Sequence, residues 1–131
     1  MHTPPHGYDY AVIRVVPRVE REEFINVGVI LSCPACEYLE ARLQLDRARL
    51  AALDPTLDPE LVEQHLAAIP LVCRGDAGAG PIGQLTARQR FHWLVAPRST
   101  VIQTSAVHSG LCGEPQAALE HLMQRMVLLR G

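Results

Sequence analysis

The segment Phe24 to Cys33, FINVGVILSC, decides the fold of this chain. It is almost uniformly apolar and rich in β-branched residues, which is typical of a central strand in a sheet. Two further strands are predicted on either side of it, at Tyr8 to Pro17 (YDYAVIRVVP) and at Glu37 to Asp46 (EYLEARLQLD). A charged connection, Pro17 to Glu23, separates the first strand from the second. The first third of the chain therefore predicts three consecutive strands.

The alternation of side chains along these strands predicts their register. Apolar residues occupy the odd positions: Ala11, Ile13 and Val15, then Ile25, Val27, Val29 and Leu31, then Leu39, Ala41, Leu43 and Leu45. If odd positions face the core in all three strands, the connection between the second and third strands needs an odd number of residues. A two-residue Pro34-Ala35 turn does not meet this requirement. We therefore expect a longer or bulged connection around Ser32 to Glu37. The even face, either solvated or a binding surface, gathers Arg14, Asn26, Gly28, Arg42 and Gln44.

Three helix starts follow the strands. Asp46 can cap a short helix that runs through Ala52, Asp58 precedes a helix with Pro59 in its first turn, and Thr86 with Gln89 forms a capping box. The remaining predictions are an end or kink of the second helix at Pro70, a loop over Gly75 to Gly83, a third helix to Val95, a strand over Val101 to Ser105, and a last helix from Pro115 that buries Leu119, Leu122, Met126 and Leu129.

The element order βββαααβα indicates an α+β fold: an antiparallel sheet of about four strands with helices packed on one face. With 131 residues and 48% hydrophobic content, the chain is the size of one domain, 1–131, with a loose N-terminal tail over 1–7.

Charge and composition restrict the function classes. Lys+Arg number 12 against 14 Asp+Glu, so the net charge of −2 gives no overall attraction to nucleic acid; only a local patch of Arg88, Arg90 and Arg98 favours it. The N-terminus lacks the basic region and apolar run of a signal peptide, and no apolar run approaches the roughly 20 residues that span a bilayer. We expect a cytoplasmic protein that does not associate with membranes or nucleic acid.

Three stretches together resemble a bacterial family of uncharacterised proteins, domain-of-unknown-function family 3037. They are YDYAVIRVVPRVEREEFINVGVIL (8–31), AGPIGQL (79–85) and RFHWLVAPRSTVIQTSAVHSGLC (90–112), and the likeness extends from Tyr8 to Val127. The resemblance implies a small bacterial protein whose relatives are often encoded beside a HipA-like kinase, so a protein partner is expected. The chain departs from the family at CPACEY (33–38), where relatives have a more basic loop.

Two motifs have familiar spacings. Cys33 and Cys36 have the spacing of half a zinc site, but no second CxxC exists, and a redox pair would need a helix N-terminus; structural thiols are the main alternative. The segment Gly78 to Gly83 matches G-x-G-x-x-G, but no strand precedes it and Pro81 removes a donor, so it is interpreted as a loop. No metal and no cofactor are expected.

Polar side chains concentrate between Arg90 and Cys112. With the even sheet face they form the candidate binding set: Arg14, Asn26, Arg90, His92, Arg98, Thr100, Gln103 and His108. An arginine fork and hydroxyl donors suit an anion, with a histidine as proton carrier. Alternatively Arg90 and Arg98 pair with distant acids (Glu20, Glu22, Glu23 or Asp46), while Phe91 and Trp93 pack and the Thr and Ser residues fill a strand. The helix that ends at Val95 is expected to insert Phe91 and Leu94 into the core.

No Asp or Glu occurs between Asp76 and Glu114, which argues against a local metal site or catalytic triad. The leading hypothesis is a non-catalytic protein-interaction or accessory domain, with a HipA-like kinase as one candidate partner and a homodimer left open. The alternative is a phosphate- or nucleotide-binding protein or enzyme, which requires His92, Arg98, Thr100 and His108 to converge on one pocket.

Overall fold

The fold is known from a computed structural model, which describes residues 5–128. The strands are β1 (His6–Val15), β2 (Ile25–Cys33), β3 (Tyr38–Leu43), β4 (Ile102–Thr104) and β5 (His108–Cys112). The helices are α1 (Arg47–Leu53), α2 (Pro59–Arg74), α3 (Ala87–Val95) and α4 (Pro115–Met126). The predicted α+β class with an antiparallel sheet is confirmed.

The sheet is built around β1, which pairs with β2 on one side and with both β4 and β5 on the other. β3 pairs with the far side of β2, and all of these pairings are antiparallel. β5 was not predicted; it pairs with the first half of β1, beginning at His6. His6 and Gly7 therefore belong to the sheet, although the sequence assigned them to a loose tail, and residues 1–4 of that tail lie outside the described part.

A bulge in β2 overturns the assumption that odd positions face one side. Ile13 pairs with Gly28 but Arg14 pairs with Asn26, so Val27 is an extra residue in β2. Ile25 and Val27 consequently face one core cluster, whereas Val29 and Leu31 face the other.

The connection between β2 and β3 is longer than a two-residue turn, as predicted. It consists of a 3-10 turn (Pro34–Cys36) followed by Glu37 in the left-handed conformation. Its four residues, 34–37, are an even number, so Ala41 of β3 pairs with Ile30 rather than with an odd residue of β2. The prediction that this connection has an odd number of residues is wrong. Both faces of β2 are buried, so either an odd or an even number would bury apolar residues of β2.

Two core clusters cover the two faces of the sheet. Cluster 1 joins the sheet to α1, α2 and α3, and its helical members include Leu50, Leu66 and Phe91. Cluster 2 joins the opposite face to α4 through Leu119, Leu122, Met123 and Val127. Gly28 lies on the cluster 1 side, where a Cβ would collide with the carbonyl oxygen of Arg42 and sit 2.9 Å from Leu43 Cδ2. It is therefore a packing position, apart from the polar residues of the predicted even face.

The helix caps follow the sequence. Asp46 and Asp58 accept hydrogen bonds from backbone N–H groups of α1 and α2, and Thr86 with Gln89 forms the complete capping box of α3. α2 does not end at Pro70 but continues to Arg74, where Val72 and Cys73 are buried. In α4 the buried stripe includes Met123, Met126 is half-buried, and Leu129 lies outside the described residues.

Residues 77–84, which overlap the predicted loop over Gly75 to Gly83, form short 3-10 turns with Gly80 at a φ of 71°. Within residues 5–128, no helix combines the length and apolar character that crossing a membrane requires.

Candidate functional site

A pocket of about 490 Å³ opens between α2, the end of α3 and the segment that leads into β4. Most of its lining side chains are apolar: Leu57, Leu61, Val62, Ala68, Ile69, Val72, Trp93, Leu94, Val101 and Ile102. The polar members are His65, Arg98, Thr100, Gln103 and Thr104. The volume lies within the range of roughly 300–1,000 Å³ typical of ligand sites.

The pocket exists because α2 presents more apolar surface than the sheet covers. Val62 and Leu66 are buried against cluster 1, whereas Leu61, one position before Val62, is 47% exposed. His65 and Ala68 continue the same side of the helix at helical spacing and also line the pocket. α2 therefore buries one stripe and leaves a neighbouring stripe open.

Trp93 forms the opposite wall. Phe91 is 1% exposed and fills cluster 1, but Trp93 is 42% exposed. Phe91 and Leu94 are thus in the core as expected, whereas Trp93 remains at the surface. Large apolar side chains exposed around a concave surface are a common feature of interaction sites.

Arg98 is fixed at the C-terminal end of α3. Its Nη2 donates to the carbonyl oxygen of Trp93 at 2.6 Å, and its Nη1 donates to those of Leu94 and Ala96 at 2.9 and 3.3 Å. The guanidinium carbon lies 4.6 Å from the centroid of the Trp93 ring. Arg98 therefore satisfies helix-terminal carbonyls and shapes the pocket wall at the same time.

The other polar lining residues mostly hold the local backbone. Thr100 donates through its hydroxyl to Ile102 O at 2.9 Å, and Gln103 donates through Nε2 to Thr100 O at 2.8 Å. These bonds shape the turn before β4. Of the eight predicted binding residues, the pocket brings together Arg98, Thr100 and Gln103.

His92 and His108 do not line the pocket. His92 is exposed on α3, and His108 is on β5 with its ring 5.4 Å from that of Tyr10. The convergence of His92, Arg98, Thr100 and His108 that the enzyme hypothesis requires is therefore absent from the described structure.

Arg90 also has a structural role. Its Nη1 donates to Leu85 O at 2.7 Å and its Nη2 to Cys73 O at 3.2 Å, which ties α3 to the end of α2. Neither Arg90 nor Arg98 forms an ion pair with a carboxylate within residues 5–128, contrary to the alternative expectation.

Arg14 and Asn26 are cross-strand partners away from the pocket lining. The Arg14 guanidinium carbon lies 4.1 Å from the centroid of Phe24, and Asn26 Nδ2 donates to Met126 O at 3.0 Å, at the end of α4. Arg14 Nε and Asn26 Oδ1 are enclosed without a hydrogen-bond partner. Asn26 thus anchors α4 to the sheet.

A polar cluster that sequence reasoning missed lies at the start of α3. Arg88 Nη2 donates to Asp9 Oδ2 at 2.6 Å and its Nη1 donates to Ser32 Oγ at 3.1 Å, while Ser109 Oγ donates to Asp9 Oδ1 at 2.6 Å. The hydrogen bond from Ser109, followed by that from Arg88, lowers the pKa of the Asp9 carboxyl. We call these four residues the Asp9 cluster. No local sequence signal identifies it, because its members come from β1, β2, α3 and β5.

The four cysteines are free thiols. Cys33, Cys36 and Cys112 approach one another at the edge of cluster 2, and burial followed by interaction with Cys33 raises the pKa of both Cys36 and Cys112. Burial raises the pKa of Cys73 to about 12. Raised pKa values oppose an activated redox pair. Across residues 5–128, no group of three or more His, Cys, Asp or Glu side chains is arranged to hold a metal ion.

Comparisons with known proteins identify the family. No curated protein and no solved structure matches the chain. One family model matches residues 10–127, which include all of the pocket lining, and it is described as a protein of unknown function, DUF3037. The chain therefore belongs to the protein family of unknown function DUF3037.

Proposed function

We propose that the protein is a non-catalytic interaction domain of the bacterial cytoplasm, and that it contacts a protein partner through the pocket between α2, α3 and β4. The observation that carries this proposal is the pair of exposed apolar side chains, Leu61 and Trp93, on two walls of one apolar pocket. Tryptophan and other large side chains in pockets dominate the binding energy of many interfaces.

The magnitude of the apolar term supports association. Burying a leucine-sized side chain contributes roughly 1.5–3 kcal/mol, and a tryptophan buries a larger area. Because Leu61 and Trp93 are 47% and 42% exposed in the free chain, a partner that covers them recovers roughly half of these values. The predicted interaction surface around Arg98 remains part of this site, whereas Arg14 and Asn26 are assigned to packing.

The pocket chemistry favours binding over catalysis. Within the described structure, the ionisable side chains of the lining are His65 and Arg98, and it contains no carboxylate or thiol. A general acid–base pair needs two titrating groups positioned at one substrate, and the hydroxyls of Thr100 and Thr104 donate to backbone carbonyls. The phosphate- or nucleotide-binding alternative retains Arg98 and Thr100 but lacks the convergent histidines.

A HipA-like kinase is the partner to test first, as the family resemblance implies. A photo-crosslinking residue at position 61, expressed in the native host, should capture this or another partner; the same residue at Ala117, exposed on α4, is the control. The captured protein is then purified and titrated against the wild-type chain.

Leu61→Asp and Trp93→Ala should each weaken that binding at least tenfold, because both remove apolar contact area. Ala117→Asp should leave the affinity unchanged. Equal affinity of the wild type and the two pocket variants would refute the proposed site, and turnover of a substrate by the purified chain would refute its non-catalytic role.

A further inference from the structure

We propose that the partner segment that occupies the pocket is acidic and amphipathic: its apolar side chains fill the pocket and one of its carboxylates binds Arg98. This inference rests on the proposed function, since it names the chemistry of the partner at the same site. It follows from the charges of the lining and from the state of the Arg98 guanidinium.

The charge of the lining has one sign. Arg98 is its permanently charged residue, His65 is its other ionisable group, and no Asp or Glu of the described chain lines it. The acids of α2 that are nearest to Leu61 in sequence, Glu60 and Glu63, lie outside the lining, and Glu63 is bound to Arg47, whose Nε donates to it at 2.6 Å. A basic partner segment would therefore bring like charges together, whereas an acidic one supplies the missing countercharge.

Arg98 retains donors for such a carboxylate. A guanidinium has five N–H donors, and three hydrogen bonds to carbonyl oxygens use three of them, so two have no partner among the described residues. The Nε atoms of Arg14 and Arg90 are enclosed without partners, whereas Nε of Arg98 is not, and the bond from Arg98 Nη2 to Trp93 O lies in an exposed position. Nε and the second N–H of Nη2 are therefore the donors that an incoming group can reach.

Arg98 is also held in place before a partner arrives. The bonds to Trp93 O and Leu94 O and the contact with the Trp93 ring restrict its side chain. A fixed arginine loses little conformational freedom when it binds a carboxylate, so more of the interaction appears as affinity. Because the carbonyls are neutral, its positive charge is not cancelled by an ion pair within residues 5–128.

The test is a selection from a random 12-residue peptide display library on the wild-type chain, with counter-selection on Leu61→Asp. Enriched peptides are expected to combine large apolar residues with an excess of Asp and Glu. A synthetic copy of the best peptide is then titrated by the fluorescence of Trp93, the single tryptophan of the chain.

Replacing the acids of that peptide by Asn and Gln should weaken binding about tenfold at low salt, and the difference should shrink as salt rises. Arg98→Gln should reduce the ratio of the affinities for the acidic and the neutral peptide from about tenfold to about twofold, and this ratio is the readout because any change in the pocket wall affects both peptides. Arg98→Lys, which keeps the charge without the fork, should fall between.

The outcomes separate the two proposals. Enrichment of neutral or basic apolar peptides whose binding is lost in Leu61→Asp overturns the acidic segment but supports the pocket as an interaction site. If peptides are recovered only when the counter-selection is omitted, and their binding is unchanged by Leu61→Asp, both proposals are overturned. A selection that enriches no peptide overturns the acidic segment. In that case decanoate, a small ligand with an apolar chain and a carboxylate, is titrated by the fluorescence of Trp93: a change indicates a site for small ligands, and no change indicates no ligand.

Discussion

The two ends of α3 each involve an arginine, and they differ in what the arginine binds. Near the start, Arg88 meets the carboxylate of Asp9 at 2.6 Å, and Ser32 and Ser109 complete the hydrogen bonding. Just past the other end, Arg98 meets three backbone carbonyls. The charge of Arg88 is neutralised by a carboxylate, whereas Arg98 is held in position by neutral carbonyl groups.

Because the partners of the two arginines differ in charge, the number of arginines alone does not identify a binding site. A carboxylate cancels the charge of Arg88, so the Asp9 cluster is electrostatically complete. Carbonyl oxygens at a helix C-terminus carry only a partial negative charge, so Arg98 keeps most of its positive charge and has no carboxylate partner among residues 5–128. The same residue type therefore stabilises the fold at one end of the helix and favours a ligand at the other.

Detaching the whole of α3 from the sheet should destabilise the protein more than changing either of its ends. Phe91, 1% exposed in cluster 1, holds α3 on the sheet. Phe91→Ala should lower the free energy of unfolding by about 3–5 kcal/mol, through lost apolar burial and the cavity that remains. Urea denaturation measures this, with the exposed neighbour His92→Ala as a control expected within about 0.5 kcal/mol. A loss below about 1 kcal/mol for Phe91→Ala would show that α3 is held by its ends instead.

A smaller effect is expected at the Asp9 cluster. Asp9→Asn should cost about 1 kcal/mol at pH 7, since it removes a partly exposed ion pair while keeping an acceptor for Ser109. The pKa of Asp9 is lowered in the folded state, so its stabilising effect is present above the unfolded pKa and is lost as the pH falls through the folded pKa. The difference between wild type and Asp9→Asn should therefore shrink from pH 7 to pH 3 in urea titrations. A difference that does not change with pH would show that the carboxylate charge is not used.

The smallest effect is expected at Arg98. Arg98→Gln should cost about 0.5 kcal/mol, the typical contribution of a cation near an exposed helix C-terminus. Because its partners are carbonyls, which do not titrate, the loss should be the same at pH 7 and pH 3. The same urea titrations measure it, and a loss that falls at low pH would reveal a carboxylate partner for Arg98.

Local signals in the sequence predicted the helices well. Asp46, Asp58 and Thr86 each have a short side chain that can accept from backbone N–H groups, and each caps the helix that it was expected to cap. These bonds span two or three residues, so the sequence contains all of the information. An end of α2 at Pro70, one of the two predicted outcomes, is not observed: the helix continues for one more turn, in which Val72 and Cys73 are buried, and a local rule does not include that burial.

Non-local features were predicted poorly. The extra residue Val27 of β2 follows from pairing with β1, and nothing in the apolar run 24–33 marks it. β5 was not predicted because Ser109 and Gly110 interrupt the alternation of polar and apolar residues in this short segment. The segment is a strand because it pairs with β1.

The pocket residues were likewise predicted only where they are neighbours in sequence. Arg98, Thr100 and Gln103 were predicted as a group because they are neighbours in sequence. Leu61 was not associated with them, because α2 and the end of α3 meet only in the folded chain.

The edge of the sheet that β4 and β5 form has a consequence for self-association. Between the pairs Tyr10–His108 and Ile13–Thr104, β1 has two residues, whereas the segment that joins β4 to β5 has three. At this irregularity the N–H of Val12 donates to the hydroxyl of Ser105 at 2.9 Å. The edge is thereby divided into a strand of three residues and one of five, although Val107 and Leu111 are 44% and 71% exposed there. Short, interrupted edges are poor templates for fibril growth. The Ser105 irregularity thus lets the chain keep apolar residues at an open edge without offering a continuous ladder to other copies.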